Sequence, residues 1–253
     1  MSWFEHGTAR IYYKEAGSGD PVLLLPGFSD TIARHNRLRD ALARHYRVIA
    51  ADLPGSGRSG PQPRRYHAGY HEEDAQAFVA FLQERGAVPS HLVGFSDGGE
   101  VALVMAAISP RVARTVLTWG AAGAVSDPGG GIAAFFRNVL DDPNPEVQGY
   151  REYLIATYGE SVTRTTMQSF ANVTDAIVAA GGDIMLSRAD QITCAVLLIV
   201  GQQDFMVSKA QIDALAGHMA KAETIEAASA GHGVHEDRPQ WFVETVTDWL
   251  ARQ

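Results

Sequence analysis

The sequence predicts an α/β domain: a mostly parallel sheet flanked by helices, interrupted once by a small helical cap. Three observations carry this. Short apolar runs alternate with amphipathic helical stripes through most of the chain. The alternation stops between about residues 123 and 188, where helix-like segments follow one another with no convincing strand. Gly94-Phe95-Ser96-Asp97-Gly98-Gly99 joins a strand-like run to a helix-like one as G-x-S-x-G, the turn that leaves a serine hydroxyl exposed at its tip.

Arg10 to Ala16 alternates and ends at Gly17-Ser18-Gly19-Asp20, an early strand and its turn. Val22-Leu23-Leu24-Leu25 and Val48-Ile49-Ala50-Ala51 are continuous apolar runs, as strands covered on both faces require. Between His71 and Arg85, Ala75, Phe78, Val79 and Leu82 form a helical stripe closed by Gly86. His91-Leu92-Val93 ends a buried strand, and Val101 to Ala107 continues as a helix of small apolar residues. Val116 to Trp119 and Val196 to Val200 read as further buried strands, and Lys221 to Glu226 as the last. Ile212, Leu215, Ala216 and Met219 mark one late helix; Phe242, Val246, Trp249 and Leu250 mark another, with Pro239 at its start. Residues 1–122 and 189–253 are therefore expected to form the core and 123–188 the cap. Within the cap, Asp127-Pro128-Gly129-Gly130-Gly131 lacks the lysine of a phosphate loop and reads as a flexible hinge.

With 253 residues, 46% hydrophobic, one substantial core can be buried. The 21 basic and 29 acidic residues give a net charge of −8, which argues against nucleic acid and anionic membranes as partners. The single cysteine, Cys194, excludes an intrachain disulfide or a cysteine metal cluster and reads as a buried, inert thiol. No apolar run approaches the ~18 residues of a membrane span, and the N-terminal segment from Met1 to His6 lacks a signal pattern; a cytoplasmic location is expected. The sequon Asn172-Val173-Thr174 is then accidental.

Serine needs a base, and the base needs an acid. Asp204 follows the strand ending at Val200, and His232 follows the last strand in Ala230-Gly231-His232-Gly233, so the order is serine, acid, histidine, each beyond a strand end. Ser96 is the expected nucleophile, His232 the general base and then acid, and Asp204 the group that fixes the imidazole tautomer. His235, three residues on, is the rival base. The oxyanion would be met by the amides of Asp97 and Phe28, with Gly27 letting the backbone pass close by. His67, His71 and Glu72 suggest a metal face, but no third ligand closes it, and a solvated helix start is preferred. Asp52, in the turn Asp52 to Ser59, is expected to bond local backbone. Phe28, Trp119 and the cap aromatics Phe135, Phe136 and Phe170 are candidates for the acyl pocket. No cofactor and no metal is expected.

These residues together resemble the α/β-hydrolase superfamily across essentially the whole chain: Pro26-Gly27, Asp52 to Ser59, the elbow, Gly201 to Asp204 and Gly231-His232 match in order and spacing. Many members carry His-Gly where this chain has Pro26-Gly27. The resemblance implies a cap inserted after the sixth strand, the one ending at Trp119. More narrowly, Gly-Phe-Ser-Asp-Gly-Gly, Thr118-Trp119-Gly120-Ala121 and Ala156-Thr157-Tyr158-Gly159 are similar to the valacyclovir hydrolase (biphenyl hydrolase-like) group. That likeness implies hydrolysis of α-amino acid esters, with Asp97 binding the substrate ammonium. The physics agrees: a carboxylate beside a developing oxyanion opposes it by up to ~4 kcal/mol at ~4 Å and a dielectric near 20, unless a cation offsets it. A helix-start role for Asp97 is the alternative. Further alternatives are a general carboxylesterase or lactonase, a cofactor-free haloperoxidase-like hydrolase, and a non-catalytic receptor on the same fold. The expected partner is a small-molecule ester, for a monomer or small homo-oligomer.

Overall fold

Eight strands form one sheet in the computed structural model, which describes residues 2–253; Met1, part of the N-terminal segment read above, lies outside the described residues. The strands are β1 (Ser2–His6), β2 (Ala9–Ala16), β3 (Pro21–Leu25), β4 (Arg47–Ala51), β5 (Ser90–Phe95), β6 (Ala113–Trp119), β7 (Ala195–Gly201) and β8 (Ala222–Ala227). Their spatial order is β1-β2-β4-β3-β5-β6-β7-β8, antiparallel at β1–β2 and β2–β4 and parallel elsewhere. Strand β1 escapes the sequence reading because only Phe4 of its five residues is buried. It is an edge hairpin arm, turned by Gly7 at φ +56°.

The continuous apolar runs are explained by two separate cores. Leu23, Leu25, Ile49, Leu92, Val116 and Leu198 face one layer, with α2 (Tyr70–Glu84), α3 (Asp97–Ile108) and α7 (Lys209–Gly217). Val22, Leu24, Val48, Val93, Leu117 and Leu197 face the other, with α1 (Asn36–Leu42) and α9 (Pro239–Leu250). Period-2 alternation therefore persists, hidden because both faces are apolar. Parallel pairing brings the C-terminal ends of β3, β5, β6 and β7 to one edge, where an open parallel sheet places its ligand crevice.

Between β6 and β7 the chain forms α4 (Gly131–Asn138), α5 (Pro145–Tyr158) and α6 (Glu160–Ala179), then a 3₁₀ turn at Leu186–Gln191. They share a third apolar cluster, in which Phe136, Val147, Leu154 and Met167 pack with Phe28 of the sheet side. Asn144 and Pro145 start α5 as cap and first residue, with Asn144 Oδ1 accepting the Glu146 amide at 3.0 Å. The segment expected to be a hinge is a capped turn instead. Asp127 accepts the amides of Ile132 and Ala133 at 3.1 Å and so closes the start of α4.

The two ends of the insertion meet at one neck. Ala124 and Asp183 face each other as an isolated bridge, and the Gly123 carbonyl accepts the amides of Ile184, Met185 and Leu186. A four-residue turn, α8 (Val234–Asp237), separates the loop after β8 from α9.

Candidate active site

Ser96 sits between the last residue of β5 and the first of α3, at φ +50° and ψ −120°. Such a conformation costs a non-glycine residue about 1–3 kcal/mol and persists only where the surroundings over-determine it. Here a Cβ on Gly94 would strike the Gly98 carbonyl, and one on Gly98 would strike the Pro26 carbonyl. Only glycine lets helix and strand close around the serine. The Ser96 amide is held by the Trp119 carbonyl at 2.8 Å.

The imidazole of His232 lies between Ser96 and Asp204. Its Nε2 is 2.9 Å from Ser96 Oγ and its Nδ1 is 2.8 Å from Asp204 Oδ2. Asp204 Oδ1 accepts the amides of Met206 and Val207 at 2.8 and 3.0 Å, and the side chain is fully buried. Four acceptor sites on an ionised carboxylate favour Nδ1–H, leaving the Nε2 lone pair for the serine proton. Gly120, at φ +67°, makes room: a Cβ there would stand 2.7 Å from His232 Cε1.

The three side chains open on a cavity of about 460 Å³, bounded by Gly27 and Phe28 on the sheet side and by Phe135, Phe136 and Phe170 of the insertion. Phe28 stacks on Phe170 at 3.6 Å between centroids. A Cβ on Gly27 would lie 3.2 Å from Ser96 Cβ, so this loop runs against Ser96. Asp97 is the first residue of α3, and its amide has no acceptor four residues back within the helix. Trp119 does not reach the cavity, contrary to expectation. It is fully buried below it, with its ring against Phe95 and Phe242 and its indole N–H donating to His235 Nδ1 at 3.0 Å.

The family described as "Alpha/beta hydrolase family" matches residues 22–245. The chain belongs to this family. The human serine hydrolase BPHL is 26% identical over 245 residues, which are 95% of this chain and 83% of that protein. Two solved structures share the fold of this α/β-hydrolase. The 2-hydroxy-6-oxo-6-phenylhexa-2,4-dienoate hydrolase of Rhodococcus sp. strain RHA1 has a TM-score of 0.81 at 20% identity, covering 97% of this chain and 96% of that one. The enol-lactonase of Burkholderia xenovorans LB400 has a TM-score of 0.78 at 20% identity, covering 99% and 100%. Among the described residues of this α/β-hydrolase, no helix is long and apolar enough to cross a membrane.

Beside Ser96 the α/β-hydrolase carries a polar wall that the sequence reading missed. Asp97 Oδ1 accepts the Tyr70 hydroxyl at 2.5 Å and meets His71 Nε2 at 2.9 Å. His71 is therefore buried rather than a solvated helix start. The signal was present: His71, Ala75, Phe78 and Leu82 lie on one helical stripe, which α2 turns towards α3. His67, by contrast, is exposed and pairs with Glu73. Under Tyr70, Arg64 makes two 2.7 Å bonds to Asp74 and a third, at 2.9 Å, to the Pro54 carbonyl. Asp52 bonds the backbone amides of Ile32 and Arg58 at 2.7 and 2.9 Å. Burial lifts its carboxyl to about 6.

Glu100, one turn beyond Asp97, accepts the amides of Ala122 at 2.8 Å and Gly123 at 3.0 Å. Burial pushes its carboxyl up to about 7. The folded protein thus keeps a proton between about pH 4.5 and 7 that the unfolded chain has released, so stability falls as pH rises through that window. At 1.36 kcal/mol per pKa unit the loss approaches about 3 kcal/mol. Glu100→Gln is expected to lose correspondingly less stability between pH 5 and pH 8 in urea unfolding. Equal losses in both proteins would contradict this assignment.

His235 is not placed to act as the base. Its Nδ1 receives the Trp119 N–H, and burial holds its pKa well below the usual histidine value. Asp30, His35 and His235 gather ligand atoms within 4.8 Å of one another, as a metal site would. Yet a neutral imidazole that accepts at Nδ1 carries its proton on Nε2, which removes the lone pair a metal needs. His35 Nε2 is bonded to Asp30 at 2.7 Å.

Proposed function

We propose that the chain is a serine esterase cleaving carboxylic esters through an acyl-enzyme on Ser96, with α-amino acid esters as its substrate class. The observation that carries this reading is the hydrogen-bonded series Ser96–His232–Asp204 opening on the cavity. Ser96 Oγ attacks the ester carbonyl carbon while His232 Nε2 takes the hydroxyl proton. The amides of Phe28 and Asp97 receive the oxyanion. The tetrahedral species expels the alkoxide, which takes the proton from His232 and leaves as the alcohol. Water then attacks the acyl-enzyme with His232 again as base, releasing the carboxylic acid and restoring Ser96. No step needs a metal or cofactor.

Charge supports the amino acid ester reading. Asp30, Asp97, Glu146 and Glu236 line the cavity, and the one lining arginine, Arg34, is paired with Asp30 and Glu236. Both side-chain bonds to Asp97 land on Oδ1, which leaves Oδ2 for an ammonium one carbon from the scissile carbonyl. A charge-assisted bond of about 1.5–3 kcal/mol corresponds to roughly 10–150-fold in rate. Asp97→Asn is expected to lower kcat/KM by that order on free-amine esters, and by less than about threefold on their N-acylated counterparts.

The second reading is a general carboxylesterase or lactonase. It is favoured by the partners Asp97 already has, since Tyr70 and His71 meet its charge without a substrate. Equal losses on the paired esters would decide for it. Absence of fluorophosphonate labelling at Ser96 in folded protein would remove both esterase readings.

A further inference from the structure

Ser29 is the residue after Phe28, and the loop that holds them runs against the nucleophile. It is buried, at φ +55°, in the left-handed region that serine occupies only under constraint. The constraint comes from α5. The Ser29 carbonyl accepts the Tyr158 hydroxyl at 2.9 Å and the Tyr153 hydroxyl at 3.2 Å, and Ser29 Oγ lies 2.7 Å from the Tyr150 hydroxyl. On the other side the Ser29 amide donates to Ser56 Oγ at 3.0 Å. Tyr158 reaches across as well, its oxygen accepting the Gly57 amide at 2.7 Å. Burial raises all three phenols, Tyr153 to about 12, so they stay protonated at any working pH. The Phe28 ring is gripped too, stacked on Phe170 of α6 and edge-on to Phe136 of α4 at 5.3 Å.

We propose that Tyr150, Tyr153 and Tyr158 are positioning residues that hold Ser29 and, through it, aim the Phe28 amide at the oxyanion, so that seating α5 and completing the oxyanion hole are one event. The inference rests on the esterase reading above. The Ser29 carbonyl shares its peptide plane with the Asp30 N–H, which donates to the Gly27 carbonyl at 3.1 Å. That carbonyl shares its plane with the Phe28 N–H, so the two planes are tied across the turn. Releasing the Ser29 carbonyl loosens the plane that closes this turn onto the Gly27–Phe28 peptide. Misplacement by about 1 Å can cost about a hundredfold in rate.

The test uses Tyr150→Phe, Tyr153→Phe, Tyr158→Phe and the triple variant. Each is assayed for kcat, KM, melting temperature, fluorophosphonate labelling and inhibition by an alkylboronic acid, which forms a tetrahedral adduct on Ser96. Tyr158→Phe is expected to lower kcat about tenfold, and the triple variant about a hundredfold, within the range for a lost oxyanion donor. KM should stay within about twofold, while boronate Ki rises in step with the fall in kcat. A purely structural role would lower the melting temperature and leave kcat unchanged in the folded fraction, which overturns the proposal. A rise in KM with kcat intact overturns it equally, because α5 would then serve substrate binding alone. If the triple variant does not fold, the single variants decide. Wild-type protein that is folded yet neither labelled nor active would defeat the esterase reading and this inference with it; an active, labelled wild type with unaltered variants would defeat only the inference.

Discussion

Ser96→Ala is expected to lower kcat for ester hydrolysis by about 10⁶-fold with the fold intact. The size follows from cooperation: nucleophile and base work as one unit, and removing either costs about as much as removing both. Ser96→Ala, His232→Ala and the double variant should therefore reach the same floor, about 10³–10⁴ above the uncatalysed rate, supplied by the oxyanion donors and substrate binding. Asp204→Asn should fall about 10⁴-fold, because an amide can impose the wrong tautomer on His232. The strain at φ +50° comes from the backbone and its Cβ, not from the hydroxyl. Ser96→Gly removes the nucleophile and the strain together, and its melting temperature should exceed that of Ser96→Ala. A Ser96→Ala enzyme within tenfold of wild type would place the nucleophile elsewhere.

Asp74→Ala is expected to give the largest loss of stability among polar substitutions, about 3–5 kcal/mol. Arg64 and Asp74 are both buried, and the pair makes two parallel 2.7 Å bonds. Without the carboxylate, the guanidinium keeps the Pro54 carbonyl and the faces of Tyr66 and Tyr70, at 4.8 and 5.4 Å, but no counter-charge in contact. At roughly 2–4 °C per kcal/mol for a chain of this size, the melting temperature should drop by about 10 °C. Removing the charge as well, in Asp74→Ala with Arg64→Met, should recover part of the loss, since the penalty is an unpaired buried ion rather than a missing attraction. A change below about 1 kcal/mol in the single variant would show that water reaches Arg64.

What could be read in the sequence was local. The runs at Val22, Val48 and Val196 announce strands because both faces of the sheet are covered. Ser96, Asp204 and His232 could be picked out because each follows a strand end, and the structure brings the three together. What escaped depends on partners distant in the chain. The bonds of Tyr150, Tyr153 and Tyr158 to Ser29 span 121 to 129 residues, and nothing near any of these residues signals them. Trp119 was misplaced for a related reason. It was a candidate for the acyl pocket, but side chains alternate between sheet faces, and this one falls on the face covered by α9.

The neck has a consequence for how this chain can be rebuilt. Ala124 and Asp183 are bridge partners, so the two ends of the inserted helices meet. A linker of a few residues could close that gap at little entropic cost, as with other inserted segments whose ends meet. Geometrically, the helices are a replaceable module. Chemically they are not, because a replacement would also have to supply new partners for the Ser29 carbonyl and the Phe28 ring. Chimaeras that exchange only the intervening helices should fold, and their activity should depend on whether the incoming helix brings hydroxyls to Ser29.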